Sequence, residues 1–154
     1  MTPEESVLTL LSLGDAGWGD ELLRGALLTI EIALVSLAIG LVLGLATAGA
    51  KISHSWLLKA LASTYTNIIR GIPEFLIILL VFFGSDQLMI SLGNWLNYDG
   101  LFEINKFVAG VLALSLIFGA YASEVFRGAY LAVPYGQIEA ALACGMTPMG
   151  AFWR

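Results

Sequence analysis

The sequence is poor in charge, in cysteine and in histidine, and each shortage removes a class of function. Only 12% of its 154 residues are charged and 58% are hydrophobic, and the mean hydropathy is +0.86. Soluble domains carry about a quarter charged residues, so this chain has too little polar surface to coat a water-soluble core. Basic residues are the scarcer kind: seven Lys and Arg stand against twelve Asp and Glu, a net charge of −5. That balance excludes the basic face that nucleic acid requires. Cys144 alone excludes an internal disulfide and any cysteine cluster for zinc or iron–sulfur, and His54 alone excludes a histidine-ligated metal site. No Ser/His/Asp set and no glycine-rich phosphate loop ending in Gly-Lys-Ser/Thr is present, so the residues offer neither catalysis nor a site for ATP. The N-terminus, Met1-Thr2-Pro3-Glu4-Glu5, lacks a basic n-region, and the first apolar stretch begins too far in and runs too long for a cleaved signal peptide.

What is present is apolar length. Three stretches are long enough to cross a bilayer as helices: about 25–50, with Glu31 as its only charge, about 75–92, interrupted by Asp86, and about 107–126, uncharged until Glu124. Residues 25–50 would reach about 39 Å at 1.5 Å per residue, more than the roughly 30 Å hydrocarbon core, so that helix must tilt or protrude. The fold class is an all-α integral membrane protein, with 1–21 as an external N-terminal segment and 22–154 as the membrane domain. Short cytoplasmic loops collect Lys and Arg, and that rule orients the chain. Glu4, Glu5, Asp15, Asp20 and Glu21 outweigh Arg24 before the first span, whereas Lys51, Lys59 and Arg70 face no acid in 49–73. Asp86, Asp99 and Glu103 outweigh Lys106 in 85–106, and Arg127 and Arg154 outweigh Glu139 in the tail. The alternation predicts the N-terminus and the 85–106 loop outside, with the 49–73 loop and the tail inside. Trp18 and Trp95 outside, and Trp56 and Trp153 inside, stand where interfacial anchors belong.

Ser36, Gly40, Gly44 and Ala48 recur every fourth residue, a ridge of small side chains that lets another helix backbone approach closely; Ser115, Gly119 and Ser123 repeat the pattern in the third span. The loop segment 53–69 predicts a helix with Trp56, Leu57, Leu58, Leu61 and Tyr65 on one face, broken by Arg70-Gly71-Ile72-Pro73. Residues 93–105 are turn-rich and predict an external loop.

Ionisable groups at membrane depth are costly and therefore informative. Arg70, Glu74, Glu124 and Arg127 fall at the cytoplasmic ends of the second and third spans, with Tyr121 one turn before Glu124 and Arg127 three residues after it. Two readings stand side by side: ion pairs that position helices, or groups along a solute pathway in which Glu74 and Glu124 attract a cation. Glu31 is either an entry-side acid or a partner for another subunit. After the third span, Pro134 to Pro148 encloses a segment of about ten helical residues, expected near 136–147. It starts with an acid, Glu139, at the positive end of the helix dipole, and Gly145 is placed to close it in the left-handed conformation. It is too short and too polar to cross a membrane, and predicts a peg for a partner's socket.

Glu139-Ala140-Ala141-x-x-x-Gly145 resembles the coupling motif of the transmembrane subunits of bacterial ABC importers. In that family the motif continues nine residues later with Ile-x-Leu-Pro, and this sequence stops at Arg154, just before that element. Arg70-Gly71-Ile72-Pro73, Gly119-Ala120-Tyr121-x-x-Glu124-x-x-Arg127-Gly128 and Gly25-Ala26-Leu27-Leu28-Thr29-Ile30-Glu31 resemble the polar amino acid uptake branch, and Glu74 after Arg-Gly-Ile-Pro is similar to the permeases for histidine, for lysine/arginine/ornithine and for opines. The resemblance implies a type I importer permease of five helices, of which three are present, so the chain is expected to be a fragment. It also implies a location in the bacterial inner membrane, a second permease subunit (identical or not), an external solute-binding protein, and two cytoplasmic ATPases that hold the ATP and Mg, with no cofactor on this chain. Glu139, Ala140, Ala141 and Gly145 would then dock on the ATPase, while Arg70, Glu74, Tyr121, Glu124, Arg127 and Glu31 would be pathway or gating residues. The alternative is a small membrane scaffold or regulatory subunit, which gives Glu139–Gly145 no special part; a channel would want a polar face along a whole helix, and none is present.

Overall fold

The computed structural model describes residues 11–14, 17–95 and 105–153, except for the side chains of 86, 88 and 92–95. Expectations for Asp15, Asp86, Asp99, Glu103 and Arg154, for the Trp95 side chain and for most of the 93–105 loop lie outside that description. The described residues form helices and no strand: α1 (Gly19–Ile52), α2 (Trp56–Gly71), α3 (Glu74–Trp95), α4 (Lys106–Ala132), α5 (Tyr135–Ala143) and α6 (Pro148–Trp153). Three of them, α1, α3 over Glu74–Ser91, and α4, are long and apolar enough to cross a membrane.

Local chemistry sets the ends. α1 has 34 residues, with Asp20 and Glu21 in its first turn and Lys51 in its last, the arrangement that opposes the helix dipole. It stops at Ser53, whose N–H donates to the Gly49 carbonyl at 3.0 Å. α2 ends where Ile72 is forced extended (φ −105°, ψ 139°) by the proline after it. α3 then starts on Glu74 and runs through Trp95, so the turn-rich sequence from 93 does not end the helix where composition suggests. Asn105 caps α4 by accepting from the Phe107 N–H at 2.9 Å, and α4 continues six residues beyond the span expected to end at 126, until Val133 turns extended before Pro134.

α4 is the centre. Half of its membrane-length stretch is buried within the chain, against 11% for α1 and 12% for α3; α1 and α3 pack mainly on it, and α2 packs on both α1 and α4. Its buried face is made of Ala109, Val111, Ala113, Ser115, Ile117, Gly119, Ala120, Ala122 and Ser123. The small residues of α1 (Ser36, Gly40, Gly44 and Ala48) are all buried and lie along that face. The Ser36 hydroxyl reaches the Val111 carbonyl and the Ser115 hydroxyl reaches the Ser36 carbonyl, both at 3.4 Å. A methyl on Gly40 would meet Phe118 and the Ser115 carbonyl, and one on Gly44 would meet Ala122 and the Gly119 carbonyl. Residue numbers rise together along the two helices, so α1 and α4 run parallel.

α2 turns the other way from its apolar pattern. Trp56, Leu57, Leu58 and Leu61 are exposed, while Ala62 and Thr66 are buried and the half-buried Tyr65 donates its hydroxyl to the Leu116 carbonyl at 2.6 Å. Lipid accepts an apolar outer face without penalty, so the hydrogen-bonding groups decide which side turns inward.

Candidate functional site

The ion-pairing groups converge where the ends of α1 and α2 meet α4. Lys51, three residues past Ala48, continues the small-residue face of α1 and delivers its ammonium between two acceptors. It donates to the Glu124 carboxylate and to the Thr66 hydroxyl at 2.5 Å, and the Thr66 hydroxyl in turn donates to the Ala62 carbonyl at 3.1 Å. The Lys51 side chain is 7% exposed and that of Glu124 is 24% exposed, so this is an ion pair largely removed from solvent. Arg127, one turn on along α4, donates its Nε–H to the second Glu124 oxygen at 3.1 Å. Arg70, at the end of α2, approaches from the third side at 3.7 Å. One carboxylate therefore gathers three cations from three helices.

That count bears on the two readings of Glu124. Both of its oxygens are occupied by protein cations, and the surrounding charge is positive, so a cationic solute would meet repulsion there. The arrangement suits an ion pair that positions helices. Lys51 and Thr66 were not singled out from the sequence as site residues, although Lys51 lies three residues past Ala48 and so on the same face of the helix.

Arg70 also stands over the Tyr121 ring, its Cζ 5.6 Å from the centroid, and the Glu74 carboxylate lies beside the Tyr121 hydroxyl. Arg70, Tyr121 and Glu74 are exposed, and form a second group on the open side of the first. Glu31 belongs to neither. It is exposed on α1, twenty residues and about 30 Å of helix before Lys51.

The tail forms a separate unit in which α5 packs with α6. α5 begins at Tyr135, with no acid in its first turn, so Glu139 sits in the second turn and not at the positive end of the dipole as the sequence suggested. Tyr135 starts the helix because Pro134 supplies a fixed, extended residue before it (φ −63°, ψ 136°). At the other end Gly145 takes φ +84°. Its N–H donates to the Leu142 carbonyl at 3.0 Å and the Met146 N–H to the Ala141 carbonyl at 3.1 Å, the two bonds of a Schellman cap. No residue of α5 is buried, so Glu139 and Ala140 are presented at the surface. An L-side chain in the left-handed region costs about 1–2 kcal/mol. Gly145→Ala should accordingly speed hydrogen exchange at the Gly145 and Met146 amides by about five- to thirtyfold, and unchanged exchange would show that the cap does not hold the turn.

Comparison with known proteins falls on the same segments. The family described as "Binding-protein-dependent transport system inner membrane component" matches residues 40–154. The nopaline transport system permease protein NocQ of Agrobacterium fabrum is 53% identical over 142 residues, covering 92% of this chain and 60% of that protein. The histidine/lysine/arginine/ornithine transport system permease protein HisQ of Salmonella typhimurium is 40% identical over 138 residues, covering 90% of this chain and 60% of that one. A solved crystal structure of an amino acid ABC transporter with histidines superposes with a TM-score of 0.61 at 31% identity, over 85% of this chain and 59% of its counterpart. The chain thus spans about three-fifths of the length of these relatives.

Proposed function

Because the chain belongs to the family of binding-protein-dependent transport system inner membrane components, we propose that it acts as a permease subunit of an ATP-driven importer for basic or polar amino acids or opines. Its substrate class follows the relatives, one a nopaline permease and another a histidine/lysine/arginine/ornithine permease. The chain itself carries no catalytic group. ATP and Mg are held by a separate cytoplasmic ATPase, a solute-binding protein delivers cargo from outside, and a second permease subunit completes the path through the inner membrane. The parallel course of α1 and α4 fits a topology in which α3 crosses back between them and the N-terminus lies outside.

The observation that carries this reading is α5: a nine-residue helix set off by Pro134 and closed at Gly145, with none of its surface buried. Glu139, Ala140, Ala141 and Gly145 form the face that the ATPase grips. Closure of the ATPase pair displaces α5, and α1, α2 and α4, tied together at Glu124, follow as one body, switching access from outside to inside.

The test is made in the whole assembled transporter, co-expressed with its ATPase and binding protein. Glu139→Ala is expected to leave the amount of assembled permease in the membrane unchanged, since the side chain is exposed, and to lower both solute uptake and binding-protein-stimulated ATP hydrolysis at least fivefold. Uptake and stimulated hydrolysis at the level of the unaltered transporter would overturn the coupling assignment and favour a scaffold with no motor contact.

A further inference from the structure

Glu124 gathers three cations and can neutralise one. Lys51, Arg70 and Arg127 bring three positive charges to its single negative one, a surplus of two. Lys51 is buried between Glu124 and Thr66, and Glu74, beside the Tyr121 hydroxyl, offsets part of the Arg70 charge over the same ring. Arg127 has no second acid among the described residues. Its Nε–H donates to Glu124 at 3.1 Å, but its two terminal nitrogens, which carry four of the five guanidinium N–H donors, make no hydrogen bond among the described residues. The side chain is 41% exposed. Around that open fork the surface is apolar: Tyr130 and Leu131, three and four residues on and so on the same face of α4, are both exposed. α4 ends at Ala132, so Arg127 stands about 7.5 Å before the end of the span. There a long basic side chain can lay its stem along hydrocarbon and its head among phosphates. Although the chain carries a net charge of −5, residues 49–73 hold Lys51, Lys59 and Arg70 and no acid, so this end of the bundle is the positive one.

We infer that the terminal nitrogens of Arg127, backed by the positive surplus around Glu124, bind the phosphate of an anionic phospholipid of the cytoplasmic leaflet, with Tyr130 and Leu131 against its chains. A guanidinium edge meets a phosphate in two parallel N–H···O bonds, and the cytoplasmic leaflet is the one that presents anionic lipid to basic residues at the end of a span. The apolar flanks select a lipid over free phosphate, which would leave Tyr130 and Leu131 facing water. The headgroup supplies from outside the negative charge that Glu124 alone cannot, and ties the end of α4 to the bilayer as Glu124 ties it to α1 and α2. The site takes from the importer reading only its topology, which puts this end of α4 on the cytoplasmic side, and is independent of the solute carried.

Lipid titration tests it. The assembled transporter, delipidated in detergent, is titrated with phosphatidylglycerol and, as the zwitterionic control, with phosphatidylcholine of the same chains, and bound lipid is counted by native mass spectrometry. The first phosphatidylglycerol is expected to bind at least about fivefold more tightly than phosphatidylcholine, the ratio that one basic residue gives at an anionic surface. Arg127→Gln should abolish that preference and Arg127→Lys should keep part of it. Leu131→Glu leaves the contacts of Glu124 untouched and sets a negative charge beside the Arg127 fork, so it reads the site even where Arg127→Gln disturbs the bundle; it too should abolish the preference. Lys59→Gln, which removes one charge from the same end of the chain, should leave it within twofold. Equal binding of the two lipids by the unaltered transporter, a preference that survives Leu131→Glu, an equal loss in Lys59→Gln, or displacement of the lipid by excess inorganic phosphate overturns the site. ATP-dependent uptake by the unaltered transporter, measured alongside, keeps the two claims apart: uptake without lipid preference removes the site alone, and lipid preference without uptake supports the site and removes the importer reading.

Discussion

Gly44→Ala is expected to prevent recovery of folded permease, and Ala122→Gly is expected to restore it in the same chain. A Cβ on Gly44 would lie 2.8 Å from the Ala122 Cβ and 3.3 Å from the Gly119 carbonyl, both fixed to the α4 backbone, so α1 and α4 must separate to admit it. In water such overpacking costs about 1–3 kcal/mol. In a bilayer, close packing is itself the main source of helix association, so the loss falls on the term that holds α1 in place. Gly40→Ala gives a milder result, because its nearest contact is Cδ1 of Phe118 at 2.7 Å, the ring of a side chain exposed enough to swing aside. Gly49→Ala, with nothing within 4 Å, should be neutral or favourable by up to about 1 kcal/mol through helix propensity. Monodisperse yield in detergent and the melting temperature rank the four chains. Equal behaviour of Gly44→Ala and Gly49→Ala would mean that α1 does not meet α4 along this ridge.

Glu124→Gln is expected to destabilise the bundle by about 3 kcal/mol, toward the lower end of what breaking a buried ion pair costs, because Glu124 keeps some contact with solvent. The substitution leaves the buried Lys51 ammonium with neutral acceptors alone, the new amide oxygen and Thr66, and turns Lys51, Arg70 and Arg127 into three cations with no anion between them. The damage lies in the surplus positive charge. Adding Lys51→Met should therefore recover more than half of the lost stability, whereas Lys51→Met alone leaves Glu124 held by Arg127 and Arg70 and costs less than Glu124→Gln. Thermal unfolding of the four combinations in the assembled transporter gives the coupling energy. Additive losses would separate Lys51 from Glu124 and return the carboxylate to the pathway. The clasp also predicts that the loss of transport in Glu124→Gln is the same for cationic and neutral solutes, since what fails is the position of α4.

Some of this was legible from residues near one another in the chain. Apolar length and the sparse charges mark α1, α3 and α4, and the four-residue rhythm of Ser36, Gly40, Gly44 and Ala48 marks the face of α1 that α4 approaches. Pro73 and Pro134 mark breaks through their own geometry. Misreadings came where one residue has two uses. Gly93 and Asn94 favour turns in isolation, yet the helix runs through them to Trp95. Glu139 suits a helix start, yet Pro134 begins α5 one turn earlier. The apolar stripe of α2 resembles a core face, but with lipid outside there is no gain in hiding it, and Tyr65 and Thr66 turn inward for their hydrogen bonds.

The sequence by itself determined that this chain lives in a membrane as helices, which faces are small, and that a short capped helix follows the last span, because hydropathy, periodicity and backbone restrictions act over a few residues. Only the tertiary structure decided which charge meets which. Lys51 and Glu124 are 73 residues apart, and their meeting depends on the direction and register in which α1 lies on α4, set by the contacts of Gly44 and Gly40, about two and three turns before Lys51. No local property of either residue carries that register, so no reading of the chain one segment at a time could show that Lys51, Arg70 and Arg127 converge on Glu124.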